Sequence, residues 1–116
     1  MMLKKIPELV AEIRSQINCL TAQEAAAKSR EDSGILIDVR EPAEFAQKAL
    51  KGAVNIPRGL IEMKMVELYP DAMLPIYIHC ATGGRAVFAA EQLMRLGYQH
   101  VYAITCPLDK VLTTYK

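Results

Sequence analysis

Apolar residues recur at helical spacing at the start of the chain: Ile6, Leu9, Val10, Ile13 and Ile17. They predict an amphipathic helix over residues 6–17. Pro7 falls in its first turn, where a missing N–H costs little. Thr21-Ala22-Gln23-Glu24 has the form of a capping box and predicts a second helix running through the alanines to about Arg30, with Gly34 closing that region. The pattern then changes. Residues 35–39, ILIDV, are apolar without helical period and predict a buried strand. EPAEF restarts a short helix with Pro42 in its first turn. Residues 52–57, GAVNIP, predict a brief strand between turn formers, and residues 60–68 a helix stopped by Tyr69-Pro70. Residues 75–79 predict a third strand, with Pro75 at the tolerated first position. Residues 85–96 predict a helix ended by Gly97. Residues 100–104 predict a fourth strand, and residues 107–113 a last helical turn or two.

Strands alternating with helices through short connections predict a parallel sheet covered on both faces. Ligands in such sheets bind at the carboxyl ends of strands, and Cys80 stands at one of those ends. With 116 residues the chain is expected to form one compact domain. At 52% hydrophobic and 23% charged it has the profile of a soluble globular protein able to build one core. The net charge of +1 recruits neither nucleic acid nor an anionic membrane. No apolar run approaches the roughly 18 residues of a membrane span. The first residues carry charges throughout and lack an apolar signal core, so the expected location is the cytoplasm. The three cysteines, Cys19, Cys80 and Cys106, form no CxxC pair and have no histidine at ligand spacing. Neither a disulfide framework nor a zinc site is expected, and a reactive thiol is left.

Cys80 is the thiol the sequence is expected to display. Cys80-Ala81-Thr82-Gly83-Gly84-Arg85 joins the third strand to a helix N-terminus. The first N–H groups of a helix lack internal partners, and a loop that curls with those groups inward binds an anion. Gly83 and Gly84 supply the φ freedom for such a curl. A thiolate at its centre is stabilised, and Arg85 adds a permanent charge near the rim. The alternative is a buried cysteine beside an ordinary turn. His79 precedes the thiol, so strand alternation points it to the opposite face, as a structural histidine and not a general base.

Several segments together resemble the single-domain rhodanese family, from about Thr21 to Ile104: LIDVREPAEF at 36–45, KGAVNIPRG at 51–59, YIHCATGGRA at 77–86 and LMRLGYQHVYAI at 93–104. The resemblance implies an α/β fold, a five-stranded parallel sheet with helices on both faces, formed by residues 21–116 behind an N-terminal helical extension, residues 1–20. It implies a sulfurtransferase of the thiosulfate sulfurtransferase type, in which Cys80 carries sulfane sulfur as a persulfide. The donor is thiosulfate or a persulfide. The acceptor is cyanide or a thiol, including a sulfur-carrier protein. The implied catalytic residues are Cys80 and Arg85, with Ala81, Thr82, Gly83 and Gly84 as the cradle. Asp38, Arg40 and Arg58 support the pocket, although Arg40 is equally placed as a structural ion-pair partner. No cofactor, metal, nucleic acid or membrane partner is implied, and the chain is expected as a monomer or weak dimer. Phosphatase-type relatives have one more residue between cysteine and arginine. The four residues here make a smaller ring, which suits a single sulfur atom.

Two departures from the family pattern bear on specificity. The segment after residue 104 reads TCPLDK, where many members carry Gly-Gly and then a tryptophan. Ala81 and Thr82 are uncharged where some thiosulfate-using members have a basic residue, which admits a persulfide-bearing protein or glutathione persulfide as donor. Cys106, just past the fourth strand, is either a resolving thiol for the Cys80 persulfide or a packing residue. The competing function is a non-catalytic rhodanese-fold module that binds a partner protein. The N-terminal helix would then be a docking surface instead of a cover for the sheet.

Overall fold

The computed structural model describes residues 2–115. Its elements run α1 (Ile6–Arg14), β1 (Asn18–Leu20), α2 (Ala22–Asp32), β2 (Ile35–Asp38), α3 (Pro42–Gln47), β3 (Val54–Asn55), a 3-10 turn (Arg58–Leu60), α4 (Ile61–Leu68), β4 (Ile76–His79), α5 (Gly84–Leu96), β5 (Val101–Ile104) and α6 (Leu108–Thr114). The five strands form one parallel sheet in the order β1-β5-β4-β2-β3. β4 is central and all four of its residues are buried, Ile76 and Ile78 toward one face and Tyr77 and His79 toward the other.

Side chains from the sheet separate into two cores. On one face Ile37, Ile76, Ile78 and Cys80 meet α1, α4 and α5 through Ile13, Ile61, Met65, Val87 and Leu93. On the other face Tyr77 and Ile104 meet α2 and α6 through Ala22, Ala25 and Val111. Helices therefore cover both faces, as the alternation of elements predicts.

Local signals in the sequence are realised. Thr21 Oγ1 accepts the Glu24 N–H at 3.1 Å and Glu24 Oε1 accepts the Thr21 N–H at 2.8 Å, completing the capping box. Gly97 closes α5 at φ 113, a left-handed cap. The first helix is shorter than its apolar period. It stops at Arg14, where Ser15 Oγ donates to the Glu12 carbonyl at 2.6 Å. Ile17 fits the helical spacing but packs against the core from the turn that follows. The chain then enters β1, which the apolar pattern does not reveal. Asn18, Cys19 and Leu20 pair with Tyr102, Ala103 and Ile104 of β5, so these three residues of the N-terminal extension are the edge strand of the sheet. Three half-polar residues on an edge show neither apolar run nor alternation. No helix among the described residues is long and apolar enough to cross a membrane.

Candidate active site

The sheet delivers Cys80 to the carboxyl end of its central strand, directly after His79. The chain must turn there and enter α5, and Gly83 makes the turn possible. Gly83 has φ 107, and a Cβ on it would stand 3.1 Å from the Thr105 carbonyl oxygen and 3.2 Å from Thr105 Cα. A side chain there is strained by the backbone conformation and crowded against the Thr105 backbone. The turned loop directs two N–H groups at the sulfur: Gly83 N is 3.1 Å from Cys80 Sγ and Ala86 N is 3.4 Å. The sulfur is thus the centre of an N–H nest at a helix N-terminus.

The loop is braced from two sides. Leu108 N–H donates to the Ala81 carbonyl at 2.9 Å, so the TCPLDK segment that follows β5 is fastened to the loop. On the other side, Val10 of α1 lies against α5 where it begins, 4.0 Å from the position a Cβ would take on Gly84. The sequence points to a displayed thiol. Cys80 is instead 1% exposed, because the loop and the first turn of α5 close over it. Thr82 is exposed, and Ala81, Gly84 and Arg85 are half-buried.

Arg85 does not stand free. Its Nη1 and Nη2 reach Glu44 Oε1 and Oε2 of α3 at 2.7 and 3.0 Å, a bidentate pair whose side chains are 36% and 38% exposed. The guanidinium and then the Glu41 N–H hold the Glu44 carboxyl down at about 2, and Glu44 in turn raises Arg85. Sequence reading does not single out Glu44. Its one local signal is the Glu41-to-Glu44 spacing, realised as a Glu41 N–H to Oε1 bond of 3.0 Å.

The supporting residues sit elsewhere. Asp38 pairs with His79 across β2 and β4, on the face opposite Cys80. Arg40 Nε lies 3.1 Å from both Asp38 oxygens and Nη2 lies 2.7 Å from Oδ2, and both side chains are buried. Arg40 Nη2 also donates to the Lys48 carbonyl at 2.7 Å, and Nη1 to the Glu44 carbonyl at 3.4 Å. Among the described residues no hydrogen bond joins Asp38 or Arg40 to residues 80–85. The two side chains form a buried ion pair, one of the two arrangements left open for Arg40, and Arg40 also holds carbonyls within and just after α3. His79 is fully buried, with Nε2 3.8 Å from Asp38 Oδ2. Desolvation, with Arg40 adding to it against the opposing pull of Asp38, keeps the imidazole below its ordinary value and therefore neutral. Arg58 turns to Glu62 on the next helical turn at 3.2 Å. Cys106 is half-buried against the α2 and α6 core, where its Sγ accepts the Ala22 N–H at 3.3 Å. Cys80 belongs to the other core, and all three cysteines are free thiols.

Comparison with known proteins places this geometry. A sulfurtransferase of Allochromatium vinosum is 39% identical over 67 residues, covering 58% of this chain and 61% of that protein. The chain thus spans about three fifths of the length of the curated relatives it matches. Among solved structures, a Rhodopseudomonas palustris protein of unknown function, described as a possible tyrosine phosphatase, superposes with TM-score 0.79 at 24% identity. The match covers 96% of this chain and 91% of that one, and shows the shared fold. The polysulfide-sulfur transferase homodimer of Wolinella succinogenes superposes with TM-score 0.74 at 25% identity, over 91% of this chain and 80% of that one. The family model for the rhodanese-like domain matches residues 21–110, and so takes in every strand from β2 to β5 together with the Cys80 loop: the chain belongs to the rhodanese-like domain family.

Proposed function

We propose that this protein is a sulfurtransferase that carries sulfane sulfur on Cys80. The observation that supports it most is the convergence of the Gly83 and Ala86 N–H groups on Cys80 Sγ, in a four-residue ring. Such a nest favours a thiolate, which is the attacking species. The thiolate attacks the sulfane sulfur of the donor and the donor's S–S bond breaks. With thiosulfate the products are the Cys80 persulfide and sulfite. An acceptor thiolate or cyanide then attacks the outer sulfur, leaving with it as a persulfide or as thiocyanate and returning the Cys80 thiolate. Electrons and atoms balance in both steps, and no cofactor enters. Ala81, Thr82, Gly83 and Gly84 form the cradle, and Arg85 is the cation that follows it in the loop. The burial of Cys80 favours donors that present a single small sulfur over bulky oxyanions. That agrees with the named activity of the Allochromatium and Wolinella relatives and not with phosphate chemistry.

Intact-mass measurement tests the reading. After incubation with thiosulfate or an alkyl persulfide, one sulfur, about 32 Da, is expected on Cys80, removed again by cyanide. Absence of an adduct with every sulfane donor, or an adduct that survives Cys80→Ser, overturns it and leaves the non-catalytic binding module as the reading.

A further inference from the structure

Arg85 is the one cation that the 80–85 loop contributes, yet both of its terminal nitrogens lie on Glu44. The carboxylate is itself held in place. Glu44 Oε1 accepts the Glu41 N–H, and Arg40, buried on Asp38, donates to the carbonyl of Glu44 itself and to that of Lys48 just after the helix that carries it. A guanidinium in a bidentate carboxylate pair has its planar fork engaged and its charge cancelled at a distance. An anion arriving at the mouth of the loop meets a near-neutral pair where the sequence leads one to expect a free cation. Because Arg85 keeps the Glu44 carboxyl at about 2, acidification to mildly acid pH does not release the pair.

Building on the reading of Cys80 as a sulfur carrier, we propose that Glu44 is a positioning residue that withholds Arg85 from the mouth of the Cys80 loop, and that it thereby sets donor preference against doubly charged donors such as thiosulfate and toward alkyl or protein persulfides of lower charge. The uncharged Ala81 and Thr82 work in the same direction, since they put no second cation on the loop. Glu44 acts only through Arg85, so its effect must vanish when Arg85 is neutral.

The test compares the full chain with Glu44→Gln, Glu44→Ala and the double variant Glu44→Gln/Arg85→Gln, each checked for folding by circular dichroism. Glu44→Gln keeps an oxygen for the Glu41 N–H, and Glu44→Ala serves if the amide re-forms the pair with Arg85. Two readouts are needed. The first is the alkylation rate of Cys80, followed by peptide mass mapping, with iodoacetate (anionic) and iodoacetamide (neutral). The ratio of the two rates is expected to rise roughly threefold or more on release of the guanidinium, and to return to the wild-type ratio in the double variant. The second is the KM for thiosulfate relative to a small alkyl persulfide, expected to fall by a similar factor while the ratio of kcat values holds. An unchanged alkylation ratio in both single variants overturns the proposal. So does a gain that persists without Arg85, since Glu44 would then act by its own charge. The alkylation arm requires no sulfur transfer, so it judges the Glu44 pair even if wild-type protein takes sulfur from neither donor, the result that overturns the sulfurtransferase reading by itself.

Discussion

His79 and Cys80 are neighbours in the chain and point to opposite faces of the same sheet, where polarity is handled in opposite ways. Behind the sheet, Asp38 and Arg40 are buried and matched, with three contacts of 3.1 Å or less between their side chains and a neutral imidazole against them. In front, the sulfur is buried and is hydrogen-bonded by two backbone N–H groups, and the loop's own cation, Arg85, is partly exposed and engaged by Glu44. The back is built on a matched ion pair, with the His79 ring nitrogens buried beside it and not hydrogen-bonded among the described residues; the front keeps capacity in reserve. A buried ion pair holds structure, because removing one partner strands the other in a medium that cannot solvate it. A nest of N–H groups around a single atom holds little structure but favours one charge state of that atom. Changes in front should therefore reach chemistry, and changes behind should reach stability.

The sharpest way to break this contrast is Cys80→Ser. Sulfur loading followed by intact mass is expected to fall to background, while the unfolding free energy from urea denaturation stays within about 1 kcal/mol of wild type. A larger loss would show that the sulfur's packing in the front core holds structure as the ion pair behind the sheet does, and the contrast would fail. The next effect lies at the back. Asp38→Asn or Arg40→Met alone should cost about 3 kcal/mol in urea denaturation, because each leaves a buried partner uncompensated. The double variant should cost less than the sum. Loss of loading in a variant that remains fully folded would instead draw the pair into the site. Gly83→Ala stands between the two classes. A side chain at φ 107, against the Thr105 backbone, should cost about 1–3 kcal/mol and also misdirect an N–H, so loading and thermal midpoint fall together.

These contrasts show what the sequence makes legible. The Thr21 box, the Gly97 cap and the Cys80 loop are all written within a few consecutive residues, and local physics decides each of them. The Arg85–Glu44 pair is written in segments 41 positions apart, joined only when α3 packs beside the loop. β1 escapes for a related reason: its three residues become a strand because β5 is present to accept them. The burial of Cys80 escapes because the same N–H groups that mark the thiol in the sequence also close over it.

The two smaller effects sharpen the comparison further. His79 is kept below its ordinary value of about 6.5. The unfolded chain therefore binds a proton that the folded chain resists. Stability tied to His79 is present above that ordinary value and is lost as pH falls below it. The urea midpoint should drop between pH 7 and pH 5, with a shallower slope in His79→Gln. The Arg85–Glu44 pair should contribute nothing to that slope near neutrality, since Glu44 is lowered from 4.5 to about 2 and the stability tied to it is lost only as pH falls through that range. Smallest of all is Cys106→Ser. A hydroxyl can accept the same Ala22 N–H, so stability should change by less than about 0.5 kcal/mol and loading should be unaffected. A Cys80–Cys106 peptide in non-reducing maps after loading would instead make Cys106 a resolving thiol.

The fastening of the loop to the segment after β5 has a consequence for how the protein comes into being. Gly83 rests on Thr105 and Ala81 holds the Leu108 N–H, while β1 has its pairing partner in β5. A nascent chain emerging from the ribosome gains β2, β4 and α5 before it gains any of these late contacts. Non-local pairings of this kind form after local ones, because chain closure comes first. Until β5 and the residues beyond it have emerged, the thiol has a strand beneath it and a helix beside it but no backing for the turn between them. The turn would then gain its backing only once β5 and the residues up to Leu108 have been made, and a chain cut short before Thr105 would hold Cys80 and its loop without the contacts that shape them.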